Sequence, residues 1–147
     1  MNSQIATFYL LEQDDPAFFI TELCGLITDF YSQNQRVFVL ARDKAQAEAI
    51  DEQLWQQTLE RFVPHALVGE NKKNAPAIEI GWDGVRHSSI KKVLINLTEN
   101  VANFAPSFAQ VVDFVPCDEK QKQKARDRYR IYSMAGRKID TLPMPTL

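Results

Sequence analysis

The segments "ATFYLL" (6–11), "RVFVLA" (36–41), "AIEIGW" (77–82), "KVLINLT" (92–98) and "QVVDFVP" (110–116) are short, nearly unbroken apolar runs. Runs of this length, without alternation of polar and apolar positions, predict strands covered on both faces, as in a mostly parallel sheet. A weaker run, "ALVG" (66–69), predicts one further short strand. Between the first two runs the period changes. Phe19, Leu23, Leu26, Ile27 and Phe30 recur at three- and four-residue intervals, which makes one apolar stripe of a helix. Asp15 is placed to cap that helix and Pro16 suits its first turn. After the second run, Asp43 caps another helix whose inner face carries Ala47, Ile50 and Leu54.

The chain therefore opens β-α-β-α, and the whole predicts one three-layer α/β/α domain of Rossmann-like class with a mostly parallel or mixed central sheet. Polar, glycine- or proline-marked loops are expected at 69–76 and 82–89. The domain is expected to span 1–136. Residues 137–147, with two prolines in "IDTLPMPTL", read as a loosely ordered tail.

Composition narrows the class. A chain of 147 residues, 45% hydrophobic and 24% charged, has the make-up of one globular domain. No apolar run approaches the roughly 20 residues needed to span a bilayer, and the N-terminus lacks a signal-peptide pattern, so a cytoplasmic protein without membrane contact is expected. Cys24 and Cys117 are too few for a disulfide framework. The tripeptide Asn96-Leu97-Thr98 matches a glycosylation pattern but falls in a predicted strand.

An α/β sheet invites a search for a nucleotide site. The loop after the first strand, "EQDDPAF", has two aspartates and no glycine, and the five glycines form neither G-x-G-x-x-G nor a P-loop. Nucleophilic catalysis would need Cys24 or Cys117 to meet His65 or His87 in space, and Cys24 lies in the apolar stretch of a helix. Two Cys and two His scattered along the chain offer no zinc pair at short spacing. No catalytic residue, cofactor site or metal site is read from the sequence.

The charge is unevenly spread. Residues 118–138, "DEKQKQKARDRYRIYSMAGRK", hold eight basic and three acidic residues for a net +5, which leaves −7 elsewhere in a chain of net −2. Helix formers dominate, Asp118 and Glu119 suit an N-terminus, and Gly136 suits a C-terminus. At about 100° per residue the charges split into two stripes, Lys122/Arg126/Arg130 and Lys120/Lys124/Arg128, with Ala125, Tyr132 and Tyr129 between them facing the domain. Few acids accompany the stripes, so an external anion is expected, and Tyr129 beside the first stripe suits an acidic ligand with an apolar anchor. The acidic remainder opposes direct nucleic-acid binding.

Taken together, "ATFYLL", "DEQLW" (51–55), "FVPH" (62–65), "AQVVDFVP" (109–116) and "ARDRYRIYSMAG" (125–136), in this order and spacing, resemble the chi subunit of bacterial DNA polymerase III. The resemblance implies a non-catalytic accessory subunit of the clamp-loader assembly, acting in DNA replication. It implies two partners, the psi subunit and the acidic, hydrophobic-ended C-terminal tail of single-stranded-DNA-binding protein. Tail binding carries over onto Lys122, Arg126, Tyr129 and Arg130, with Val115 lining an apolar pocket. Trp55 and Phe62 match positions of the psi interface, a surface for which a repair helicase competes. Arg130 stands where the family can carry lysine. A single-stranded nucleic-acid-binding module and a nucleotide-dependent enzyme are the alternative readings.

Overall fold

The computed structural model describes residues 4–57, 59–69, 76–84 and 92–145. Its seven strands are β1 (Ile5–Leu10), β2 (Val37–Ala41), β3 (His65–Leu67), β4 (Ile78–Trp82), β5 (Val93–Asn96), β6 (Gln110–Val115) and β7 (Lys138–Pro143). They form one sheet in the order β3-β4-β2-β5-β6-β1-β7. Every pairing is parallel. The unbroken apolar runs have the physical cause inferred from them. Helices α1 (Pro16–Ser32) and α2 (Lys44–Trp55) cover one face and α3 (Glu119–Met134) the other, so the central strands meet side chains above and below.

Each face has its own core. On the first, Leu23, Ile27, Ala47, Ile50 and Leu54 pack on Val37, Val39, Ile80, Ile95 and Phe114; on the second, Tyr132 of α3 joins Phe8, Phe38, Leu94 and Val111. The α2 cap is as expected, with Asp43 Oδ1 accepting from the Gln46 N–H at 2.8 Å. At α1, Asp15 occupies the capping position and Pro16 follows it, but the Asp15 side chain makes no capping bond.

The segment expected to be a loose tail is instead a strand at the edge of the sheet. Residues Lys138–Pro143 pair in register with Ile5–Leu10. Arg137 is the reason. It is 6% exposed, and its guanidinium donates to the carbonyls of Ile5 (3.1 Å), Ala109 (3.3 Å), Ala105 (2.9 Å) and Phe108 (2.8 Å). That anchor lays the following residues beside β1, where main-chain bonding rather than side-chain burial holds them, and both faces of β7 stay largely exposed. Pro143 comes last in the edge strand, where a missing N–H is tolerated. Of the two expected loops, residues 70–75 and 85–89 lie outside the described residues, His87 among them.

Candidate binding surfaces

Helix α3 is delimited by its own sequence. Asp118 Oδ2 accepts from the Gln121 N–H at 3.1 Å, and Glu119 stands in the first turn. At the other end Gly136 takes φ 89°, its N–H bonds to Ser133 O at 3.0 Å, and the Arg137 N–H bonds back to Tyr132 O at 3.1 Å. This is a Schellman closure, and it turns the chain directly into β7.

The helix docks through a buried polar cluster. Asp113, in the middle of β6 and 1% exposed, receives the Arg128 Nε–H on both carboxylate oxygens (3.1 and 3.0 Å) and the Tyr132 O–H at 3.0 Å. Asn96 Nδ2 donates to it at 3.3 Å and the Phe114 N–H at 2.7 Å. Arg128 also donates to the carbonyls of Glu99 (2.9 Å) and Phe114 (3.2 Å). Burial pushes the Asp113 carboxyl above its usual range, against the opposing pull of Arg128 and the hydrogen bonds. Burial, then Asp113, pushes the Tyr132 phenol up as well.

This corrects the expected layout of the second basic stripe. Arg128 is 5% exposed and belongs to the core, and Lys124 is 2.6 Å from Glu99, whose carboxyl it draws down. Periodicity put Arg128 among the surface charges; the signal that could have moved it was Asp113, a lone acid in an apolar strand.

In the first stripe Arg126 and Arg130 are exposed and Lys122 is half-buried, and the three rim a groove. Lys122, Arg126, Tyr129 and Arg130 from α3, Val115 at the end of β6, Phe8, Ala125 and Thr141 of β7 enclose about 450 Å³. All five residues assigned to tail binding therefore meet at one place, and Phe8, Ala125 and Thr141 were missed because their contribution depends on which strands are neighbours. Tyr129 is 43% exposed, so it faces the groove rather than the domain, with its ring 5.5 Å from that of buried Phe8. The groove has a cationic rim and an apolar floor. Lys122 is 3.7 Å from Glu119 and Arg130 3.8 Å from Asp127, exposed i,i+3 pairs of small worth that a stronger anion would displace. Among the described residues, Arg126 bonds only to the neutral Gln123 side chain, at 3.3 Å.

A second surface lies at the other end of the sheet. Trp55, the last residue of α2, is 58% exposed; its ring centroid is 5.3 Å from that of Phe62 and 4.9 Å from that of His65, the first residue of β3. His65 Nε2 is 3.3 Å from Asp51 Oδ1, and its Nδ1 is 2.8 Å from Val63 O. His65 is thus engaged with this cluster. Cys24 packs against α2 with Sγ 3.9 Å from Ile50 O, and burial pushes its thiol up to about 12.

Similarity to known proteins runs along nearly the whole chain. The family described as "DNA polymerase III chi subunit, HolC" matches residues 4–140. This chain belongs to that family. Two relatives named DNA polymerase III subunit chi are 40% identical over 140 residues in Escherichia coli (92% of this chain, 95% of that protein) and 35% identical over 139 residues in Haemophilus influenzae (95% and 96%). A third, from Pseudomonas aeruginosa, is 29% identical over 140 residues, covering 95% of this chain and 96% of its own. Among solved structures, the crystal structure of T4 UvsW matches with a TM-score of 0.66 at 11% identity, covering 97% of this chain and 42% of that one. At that identity the likeness shows the α/β fold alone.

Two absences are confined to the described residues: no helix is long and apolar enough to cross a membrane, and no three His, Cys, Asp or Glu side chains cluster to hold a metal.

Proposed function

We propose that this chain is a non-catalytic adaptor of the polymerase III assembly. It holds the acidic tail of single-stranded-DNA-binding protein in the α3 groove and the psi subunit on the Trp55–Phe62 surface. The observation that carries this reading is the groove: three basic residues on one stripe above a floor of Phe8, Val115, Ala125 and Tyr129. A peptide of several carboxylates ending in an aromatic residue matches both parts. Its ring fills the floor and its carboxylates meet Lys122, Arg126 and Arg130. Each charge-assisted hydrogen bond contributes about 1.5–3 kcal/mol before ordering costs, so an affinity on the order of micromolar follows.

The sheet order separates the two surfaces. From β3 to β1 is five strand spacings of about 4.8 Å, roughly 24 Å, and the groove lies under α3 while Trp55 belongs to the opposite helix layer. Both partners, or the repair helicase in place of psi, fit at once with the tail. The reading as an adaptor rather than a nucleotide-dependent enzyme draws support from the cleft at the carboxyl ends of the central strands, where such sheets hold nucleotides. There Asp14, Asp43, Glu99, Asp113 and Asp118 outnumber Arg42 and Arg128, which opposes a phosphate.

The test is a titration with a fluorescent peptide of the stated chemistry. Micromolar binding that weakens with salt and retains an apolar remainder is expected. No binding at about 1 mM peptide, or no salt dependence, refutes the groove assignment.

A further inference from the structure

Glu22 lies on α1 and is 6% exposed, yet its Oε2 has no hydrogen-bond partner among the described residues. It lines a pocket of about 50 Å³ whose apolar walls are Leu11, Phe18, Phe19 and Met144, with Glu12 and Gln13 completing the lining. A carboxylate removed from water with one oxygen unpaired is costly, and the group that offsets the cost is a cation. The space exceeds the 10–15 Å³ or so that one water needs, which suits a compact ammonium and the methylenes next to it. A guanidinium, with five donors in a rigid fork, would leave most of them unmatched against these walls.

The pocket sits at the end of β7, the outermost strand on this side, which among the described residues is paired on its β1 edge alone. The Met144 N–H bonds to Leu10 O at 3.1 Å, so the pocket wall continues the strand. Leu142, next to Tyr9 in register, is 46% exposed, and Phe18 is 41% exposed. A free strand edge flanked by exposed apolar side chains is a template for an added strand.

We propose that the free edge of β7 pairs with an extended segment of a partner polypeptide whose lysine side chain enters the pocket and meets Glu22. The occupant is a basic, apolar-flanked strand. Its chemistry is opposite to that of the acidic ligand assigned to the α3 groove, and the site uses the α1 face of the sheet rather than the α3 face. The two assignments stand or fall separately.

The experiment is methyl and amide NMR of the full chain titrated with three probes. These are Nα-acetyl-lysine methylamide, its Nε-acetylated analogue, and the blocked tripeptide acetyl-Val-Lys-Val methylamide. Saturating shifts at the Met144 and Leu11 methyls are expected with the blocked lysine, on the order of millimolar in affinity. The acetylated analogue should bind at least tenfold more weakly, and Glu22→Gln, which keeps shape and removes charge, should weaken the blocked lysine by at least tenfold. The tripeptide should bind several-fold tighter than blocked lysine and shift the β7 amides. Absence of saturable shifts, equal binding of the acetylated analogue, or unchanged binding in Glu22→Gln overturns the lysine pocket. The first two read the unaltered protein and hold even if the variant folds poorly. A tripeptide no tighter than blocked lysine overturns the pairing along β7.

Discussion

Replacing Arg128 by methionine removes a charge and keeps most of the apolar stem. The loss is then chiefly electrostatic. Asp113 and the Arg128 side chain are 1% and 7% exposed, with the ion pair at 3.0 Å. Removing one partner of a buried pair costs about 3–5 kcal/mol, because the other charge stays buried without compensation. Two carbonyls, Glu99 O and Phe114 O, lose their Arg128 donors in the same step. For a domain of ordinary stability, about 5–15 kcal/mol, that is a fifth of the total or more, and the melting temperature should fall by roughly 6–20 °C.

The effect depends on pH. Asp113 already has a raised pKa in the folded protein, so its contribution to stability is fully present below the unfolded carboxylate value and is lost as pH rises through the folded value. Arg128 is the largest influence opposing that rise; without it the folded value moves further up and the window of loss widens toward neutrality. Urea unfolding followed by circular dichroism should show Arg128→Met losing more at about pH 8 than at about pH 5. Adding Asp113→Asn removes the stranded charge while keeping a partner for Tyr132, and at least half of the loss should return. A loss below about 1 kcal/mol, a pH-independent loss, or additive single and double variants would refute the claim that this pair docks α3.

Three further outcomes follow from the same geometry. Arg126→Glu, in the centre of the first stripe, should weaken the acidic tail peptide by at least tenfold, about 1.4 kcal/mol, in an anisotropy titration while psi binding is retained. Trp55→Ala should lose psi, by about 2 kcal/mol or more if the ring is an anchor, yet melt within a few degrees of the parent because the side chain is 58% exposed. If a well-folded Trp55→Ala or Arg126→Glu loses both partners, the two surfaces are one and the adaptor mechanism fails. Arg137→Met should leave four carbonyls short of a donor, destabilise by about 1–3 kcal/mol, and speed hydrogen exchange at residues 138–143; exchange as slow as in the parent would show that β7 does not depend on the anchor.

Local pattern was enough for the elements that bury a face. The strands at β1, β2, β4, β5 and β6 follow from unbroken apolar runs, the inner faces of α1 and α2 from three- and four-residue spacing, and the bounds of α3 from Asp118 and Gly136. The groove residues on α3 were legible for a similar reason: Lys122, Arg126 and Arg130 share a helix face whatever the helix packs against. Tertiary structure decided the rest. Arg128 and Arg126 point to different sides of the helix: Arg128 shares the domain-facing side with Ala125 and Tyr132 and meets Asp113 there, a partner only the tertiary structure supplies, while Arg126 faces out. β7 has no burial pattern to read, because an edge strand is held by main-chain bonds to β1 and by the carbonyls that receive Arg137. Phe8, Thr141 and Glu22 likewise acquire their settings from strands and helices brought together across the sheet, and one-dimensional periodicity carries no record of which elements become neighbours.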